Sequence, residues 1–144
     1  MRLTLQGEEK LQAFLKSRPS RAMTALAGAL LEEAETAMEK SKDGLVPVAP
    51  DGGTLRASGF VDPPERSGTK VWVELGYGGA AAAYALAVHE FPDGPIPPSW
   101  QGKTSLNWNV PGSGPKYLET PVLEANKGLG ERVARKIKRR LERA

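Results

Sequence analysis

The sequence contains no cysteine and a single histidine among 144 residues. The first absence excludes a disulfide scaffold and any thiolate metal site, and it fits a reducing interior. The second removes most zinc sites and most histidine-based catalysis. Aromatic residues make up only 6%. No apolar run reaches the roughly 18 residues that a membrane-spanning helix needs, so no membrane is expected among the partners. The start, Met1-Arg2-Leu3-Thr4-Leu5, turns polar at Gln6, which leaves no apolar core for a secretory signal.

What is present in excess is glycine and proline, 16 and 12 residues, about 19% of the chain where average usage is roughly 12%. Twenty-two of these 28 fall in residues 44–115. Charge is uneven too. Net charge is +3, yet residues 131–144 alone carry seven positive and two negative side chains. The rest of the chain is mildly acidic, so the high isoelectric point belongs to the C-terminal segment.

The length is that of one domain, read as 1–144 with a proline- and glycine-rich loop at 91–116. Leu11, Phe14 and Leu15 mark a first helical stretch at 6–16. A second helix opens at Ser20, a candidate cap. In it Met23, Leu26, Leu30, Ala34, Ala37 and Met38 recur at helical spacing to about Asp43-Gly44. Glu32, Glu33, Glu35 and Glu39 read as its solvated face. Ser58-Gly59-Phe60-Val61 and the alternating Lys70-Val71-Trp72-Val73-Glu74-Leu75 read as strands, with turns at Pro63-Pro64 and Ser67-Gly68. Residues 80–90 favour helix by their alanines and strand by the alternation of Tyr84, Leu86 and Val88. They are expected to begin helical or irregular and run into a strand. Residues 91–116 carry Trp100 and Trp108, which argues for a docked loop rather than a disordered linker. Leu118, Val122, Leu123, Leu129, Val133, Ile137 and Leu141 form the stripe of a closing amphipathic helix, interrupted near Gly128. The fold class is α+β: a long N-terminal helix, a small antiparallel sheet of short strands, and a C-terminal amphipathic helix packed on the sheet.

Short matches to catalytic motifs do not hold up. Gly76-Tyr77-Gly78-Gly79-Ala80-Ala81 fits G-x-G-x-x-A, but the second strand of a dinucleotide site would fall in the proline-rich 94–100. Ser67-Gly68-Thr69-Lys70 fits S-x-x-K without its partner motifs. Gly112-Ser113-Gly114-Pro115-Lys116 lacks the spacing of a phosphate-binding loop. His89 beside Glu90 could serve acid–base chemistry, although a lone histidine is more often bonded to backbone. Arg132, Arg135, Arg139 and Arg143 fall on one helical face, with Lys136 and Arg140 beside them. This face suits a phosphate or acidic partner, or else a solvated surface matched to the helix dipole.

Three segments in order resemble the tail-completion, or head–tail joining (neck), proteins of long-tailed bacteriophages. Pro50-Asp51-Gly52-Gly53-Thr54-Leu55-Arg56-Ala57-Ser58 is similar to their P-x-D-T-G-x-L-R-x-S signature. Tyr84-Ala85-Leu86-Ala87-Val88-His89-Glu90 resembles their Y-A-x-x-V-H-E segment. Pro115-Lys116-Tyr117-Leu118-Glu119 resembles the opening of their final helix. Gly52 departs from the family's usual threonine, and 91–116 is a substantial loop here. The resemblance implies a structural connector subunit of the virion, assembled in the host cytoplasm. It implies a homo-oligomeric ring, commonly taken as six-fold, that meets other neck or tail proteins, with no cofactor and no reaction. The motif residues Asp51, Gly53, Leu55, Arg56, Ser58, Tyr84, Ala85, His89, Glu90, Tyr117 and Leu118 would then be structural. Trp100, Trp108 and the four arginines are the candidate partner contacts, including a passing contact with DNA. The alternative is a nucleic-acid-binding module using the basic C-terminal helix.

Overall fold

The protein is described from a computed structural model, which covers residues 2–4, 19–45, 54–79, 82–91, 93 and 115–142. The fold is mixed helix and sheet. In chain order the elements are β1 (Arg2–Thr4), α1 (Pro19–Lys40), a π-helical turn (Ser41–Leu45), α2 (Thr54–Ala57), β2 (Gly59–Val61), β3 (Glu65–Ser67), β4 (Lys70–Tyr77), α3 (Ala82–Glu90), α4 (Glu119–Asn126) and α5 (Leu129–Glu142).

The sheet is antiparallel where its register is defined and is organised on β4. The antiparallel partner on one side is β1, with Leu3 opposite Val73. On the other side lie β2 and β3, with Arg66 opposite Val71. Four strands thus occupy three rows. The break between β2 and β3 falls at Pro63-Pro64, which have no N–H to donate to a ladder. Pairing is held across the approach to this break by the Asp62 N–H, which donates to the Glu74 carbonyl at 2.8 Å. Gly68 closes the β3–β4 turn at φ +60°, a conformation glycine adopts without steric cost. In β4 the period of two is visible as burial of Val71, Val73 and Leu75.

The chain divides into two compact units. Unit 1 takes Met1–Thr36, Val61–Leu75 and Val122–Ala144; unit 2 takes Ala37–Phe60 and Gly76–Pro121. Within unit 1, the buried side chains include Leu26 and Leu30 of α1, Val71, Val73 and Leu75 of β4, and Leu129, Val133 and Ile137 of α5. The last three are four residues apart and form one helical row. Within unit 2, the buried side chains include Ala37, Met38, Ser41, Leu55, Ala85, Ala87, Val88, Phe91, Tyr117 and Leu118.

Several expectations need correction. The first long helix begins at Pro19, so Ser20 is not its cap. Proline suits a first turn because its missing N–H has no intrahelical partner there, and the Ser20 carbonyl instead accepts from Thr24 Oγ1 at 3.0 Å. Residues 82–90 are helix throughout. Ala85 and Val88, three residues apart, are buried while Leu86 is 57% exposed, so the helical period prevails over the apparent alternation. The strand pairing of β1, and of β3 where only a turn was expected, adds to the sheet. The closing stripe is two helices, divided at Gly128 with φ +66°, where the left-handed conformation terminates α4. The expected helix at 6–16, the bulk of the 91–116 loop, Asp51, Gly53, Trp100, Trp108, Arg143 and the side chain of Tyr84 lie outside the described residues.

Candidate functional site

Two polar constellations stand out, one in each unit. Unit 2 contains the described parts of all three motif segments, and two of them, 84–90 and 115–119, are bonded to each other. Leu55, on the short helix α2, is 1% exposed. Ser58 ends that helix by donating from Oγ to the Leu55 carbonyl at 2.7 Å. Arg56 is exposed and lies 3.6 Å from the Asp43 carboxylate.

His89 is built into the start of α4. Its Nε2 accepts the Glu119 backbone N–H at 3.1 Å, one of the donors that a helix start leaves without an intrahelical partner. An N–H can only donate, so Nε2 carries no proton. The proton sits on Nδ1 and is donated to Glu90 Oε1 at 3.0 Å. The other Glu90 oxygen receives the Lys116 ammonium, which also lies 3.3 Å from Glu119. Hydrogen bonds from Lys116 and then His89 hold the Glu90 carboxyl below its ordinary value, and the bond to Glu90 raises Lys116. Lys116 itself adopts φ +59° with its N–H donating to the His89 carbonyl at 2.8 Å.

Tyr117 is the hub of this unit. Its ring meets His89 edge-on at 4.9 Å and Tyr77 edge-on at 5.0 Å. Its hydroxyl donates to the Ala85 carbonyl at 2.7 Å. The buried Ser41 donates from Oγ to the Tyr117 carbonyl at 2.7 Å. That spends its one proton, so Tyr77 is the donor in the 2.7 Å contact between the Tyr77 hydroxyl and Ser41 Oγ. Burial pushes the Tyr77 hydroxyl pKa up. Both imidazole nitrogens of His89 are thus occupied by the scaffold.

The second constellation, in unit 1, joins α1 to α5. Glu33 was expected on a solvated face; instead its side chain is only 6% exposed. Arg132 Nε donates to both Glu33 oxygens at 3.2 and 3.1 Å. Lys136 Nζ reaches Glu33 at 2.9 Å and Glu32 at 3.4 Å, and Arg140 pairs with Glu32. Burial pushes the Glu33 carboxyl up, but hydrogen bonds from Lys136 and Arg132, with their charges, outweigh it and leave its pKa lowered. The remaining Arg132 nitrogens donate to the Ala125 and Lys127 carbonyls, so the guanidinium also closes the C-terminal end of α4.

The expected arginine face therefore divides. Arg132, Lys136 and Arg140, four residues apart, point at the carboxylates of α1. Arg135 and Arg139 are exposed and make no ion pair among the described residues. Sequence reasoning grouped the cations by their spacing on α5 alone. The row that pairs inward directly precedes the apolar row Leu129–Val133–Ile137, and that adjacency is the signal that could have identified it. Gly28 is a second such signal. A Cβ there would stand 2.7 Å from Arg140 Nη1, so the bare backbone of α1 makes room for the guanidinium on its way to Glu32.

No helix among the described residues is long and apolar enough to cross a membrane. No family model matches the chain, and no curated protein or solved structure is significantly similar to it.

Proposed function

We propose that the chain is a structural subunit of the head–tail junction of a long-tailed bacteriophage, one that completes the tail or joins it to the head as a member of a homo-oligomeric ring. The observation that carries this reading is the joining of two of its motif segments, 84–90 and 115–119, through His89, Glu90 and Tyr117, in the same compact unit as the described part of the third. Leu55, Ala85, His89, Tyr117 and Leu118 are packed there as scaffold. His89, the most chemically capable of them, spends one nitrogen on the backbone of α4 and the other on Glu90. A histidine so engaged positions chain rather than moving protons. The same unit leaves Phe60 and Leu86 42% and 57% exposed, apolar surface that a neighbouring subunit would cover.

Native mass spectrometry of the purified protein across a concentration series, with electron microscopy of the same samples, tests the ring. A closed oligomer with a central opening is expected, six-fold by the resemblance. A protein that stays monomeric, both alone and with tails from the phage that encodes it, would overturn the reading.

A further inference from the structure

Beyond the ring-subunit reading, and independent of it, we propose that the end of the α1–α5 contact in unit 1 is a binding site for a phosphate group. Glu32, Lys136, Arg139 and Arg140 line an open cleft of about 400 Å3. The cleft is open to solvent and large enough to admit a phosphate group.

The charge balance around the cleft is positive. Among the described residues, Arg132, Lys136 and Arg140 pair with Glu32 and Glu33, and Arg139 joins the lining without a carboxylate partner, a surplus of two positive charges. The C-terminal end of α5 offsets about half a charge of this surplus. Arg132 is spent on Glu33 and on two carbonyls, so the unspent charge lies at the mouth, with Arg139. Two neighbouring guanidinium forks and an ammonium suit the several equatorial oxygens of a phosphate better than a single carboxylate.

The groups are also held in place before any ligand arrives. The Lys136 side chain is 19% exposed and is fixed by both carboxylates. Arg140 lies over Gly28, where any β-carbon would displace it. Glu32 is the one carboxylate of the lining among the described residues. It holds Lys136 and Arg140 but repels an incoming anion, so its removal should tighten binding. A merely basic surface would respond alike to loss of any exposed cation; a site formed by this cleft would not.

Isothermal titration calorimetry of the full chain at low salt tests the assignment, with pyrophosphate and a short duplex oligonucleotide as separate probes. Arg139→Ala, exposed and without an ion pair in the described residues, should weaken binding about tenfold. Glu32→Gln should tighten it about threefold. Arg135→Ala and Lys138→Ala, outside the lining, should stay within about twofold. Thermal melts of each variant check that the fold is retained. Pyrophosphate binding without duplex binding identifies a small phosphorylated molecule as the source of the group. Duplex binding competed by pyrophosphate identifies a polynucleotide backbone. Either result supports a phosphate site. No heat from either probe at about 10 mM, or losses at Arg135 and Lys138 equal to that at Arg139, would overturn it.

Discussion

Replacing Arg132 by alanine tests the packing logic of unit 1 most sharply, because this side chain does three things at once. It neutralises a carboxylate whose side chain is 6% exposed, and it donates to two carbonyls at the end of α4. Breaking a fully buried ion pair by removing one partner costs about 3–5 kcal/mol. Here Lys136 remains 2.9 Å from Glu33 and Arg132 is itself 32% exposed, so the electrostatic share falls to about 2 kcal/mol. The two carbonyls left without their donor add about 0.5 kcal/mol each. The expected loss is about 3 kcal/mol, or roughly 10 °C in melting temperature for a chain of this size. Urea unfolding followed by far-ultraviolet circular dichroism measures it. Arg132→Lys should recover only part, because an ammonium is a point charge that cannot match the planar fork. Arg135→Ala and Arg139→Ala should each remain within about 0.5 kcal/mol of the parent protein. Equal, small effects at all three arginines would refute the division of the basic helix into an inward and an outward row.

Three further outcomes are expected. Glu33 titrates below the ordinary carboxyl value of 4.5. As pH falls, the unfolded chain therefore takes up its proton first, and the stabilisation present at neutral pH is lost through and below that value. Glu33→Gln should be less stable at neutral pH and show a flatter acid limb in pH-dependent melts; an acid limb unchanged from the parent would count against the pairing. His89→Ala removes the acceptor for the Glu119 N–H and the ring against Tyr117, and Tyr117→Phe removes the buried hydroxyl's bond to the Ala85 carbonyl. Each should cost about 1–3 kcal/mol, and the imidazole nitrogen shifts of the parent protein should report the Nδ1–H tautomer at neutral pH. Gly28→Ala adds helix propensity of about 1 kcal/mol but displaces the exposed Arg140–Glu32 pair, worth about as little as other surface pairs. Its melting temperature should change little, whereas Gly59→Ala, where a Cβ would meet Lys42, Met38 and Tyr77 within 3 Å, should lower it.

The periodic parts of the fold were legible in the residues. The apolar stripe of α1, the alternation of β4 and the row Leu129–Val133–Ile137 each record one buried face, and a single face is what a periodicity reports. Pairing between distant segments was not legible. Glu33 and Arg132 are 99 positions apart, and nothing in the local spacing of Glu32, Glu33, Glu35 and Glu39 distinguishes the buried member from the exposed ones. Residues 82–90 misled for the opposite reason: alanine, tyrosine, leucine and valine in alternation satisfy both periods over so short a run. At the first motif segment, the sequence began a strand at Ser58, whereas Ser58 closes α2 through its bond to the Leu55 carbonyl and the strand starts at Gly59. The sequence did not indicate that Ser41, Tyr77 and Tyr117 form a hydrogen-bonded line, because hydroxyl partners depend on tertiary proximity and carry no spacing of their own.

The central claim is that this chain is a connector subunit rather than a catalyst. On the proposed reading the gene belongs to a phage; inactivating it there, then examining the lysate by electron microscopy, addresses that claim most directly. The account predicts filled heads and tails that accumulate unjoined, with whole virions restored by the parent gene and by an Arg135→Ala variant supplied in trans. Intact, infectious virions formed in the absence of the protein would contradict it.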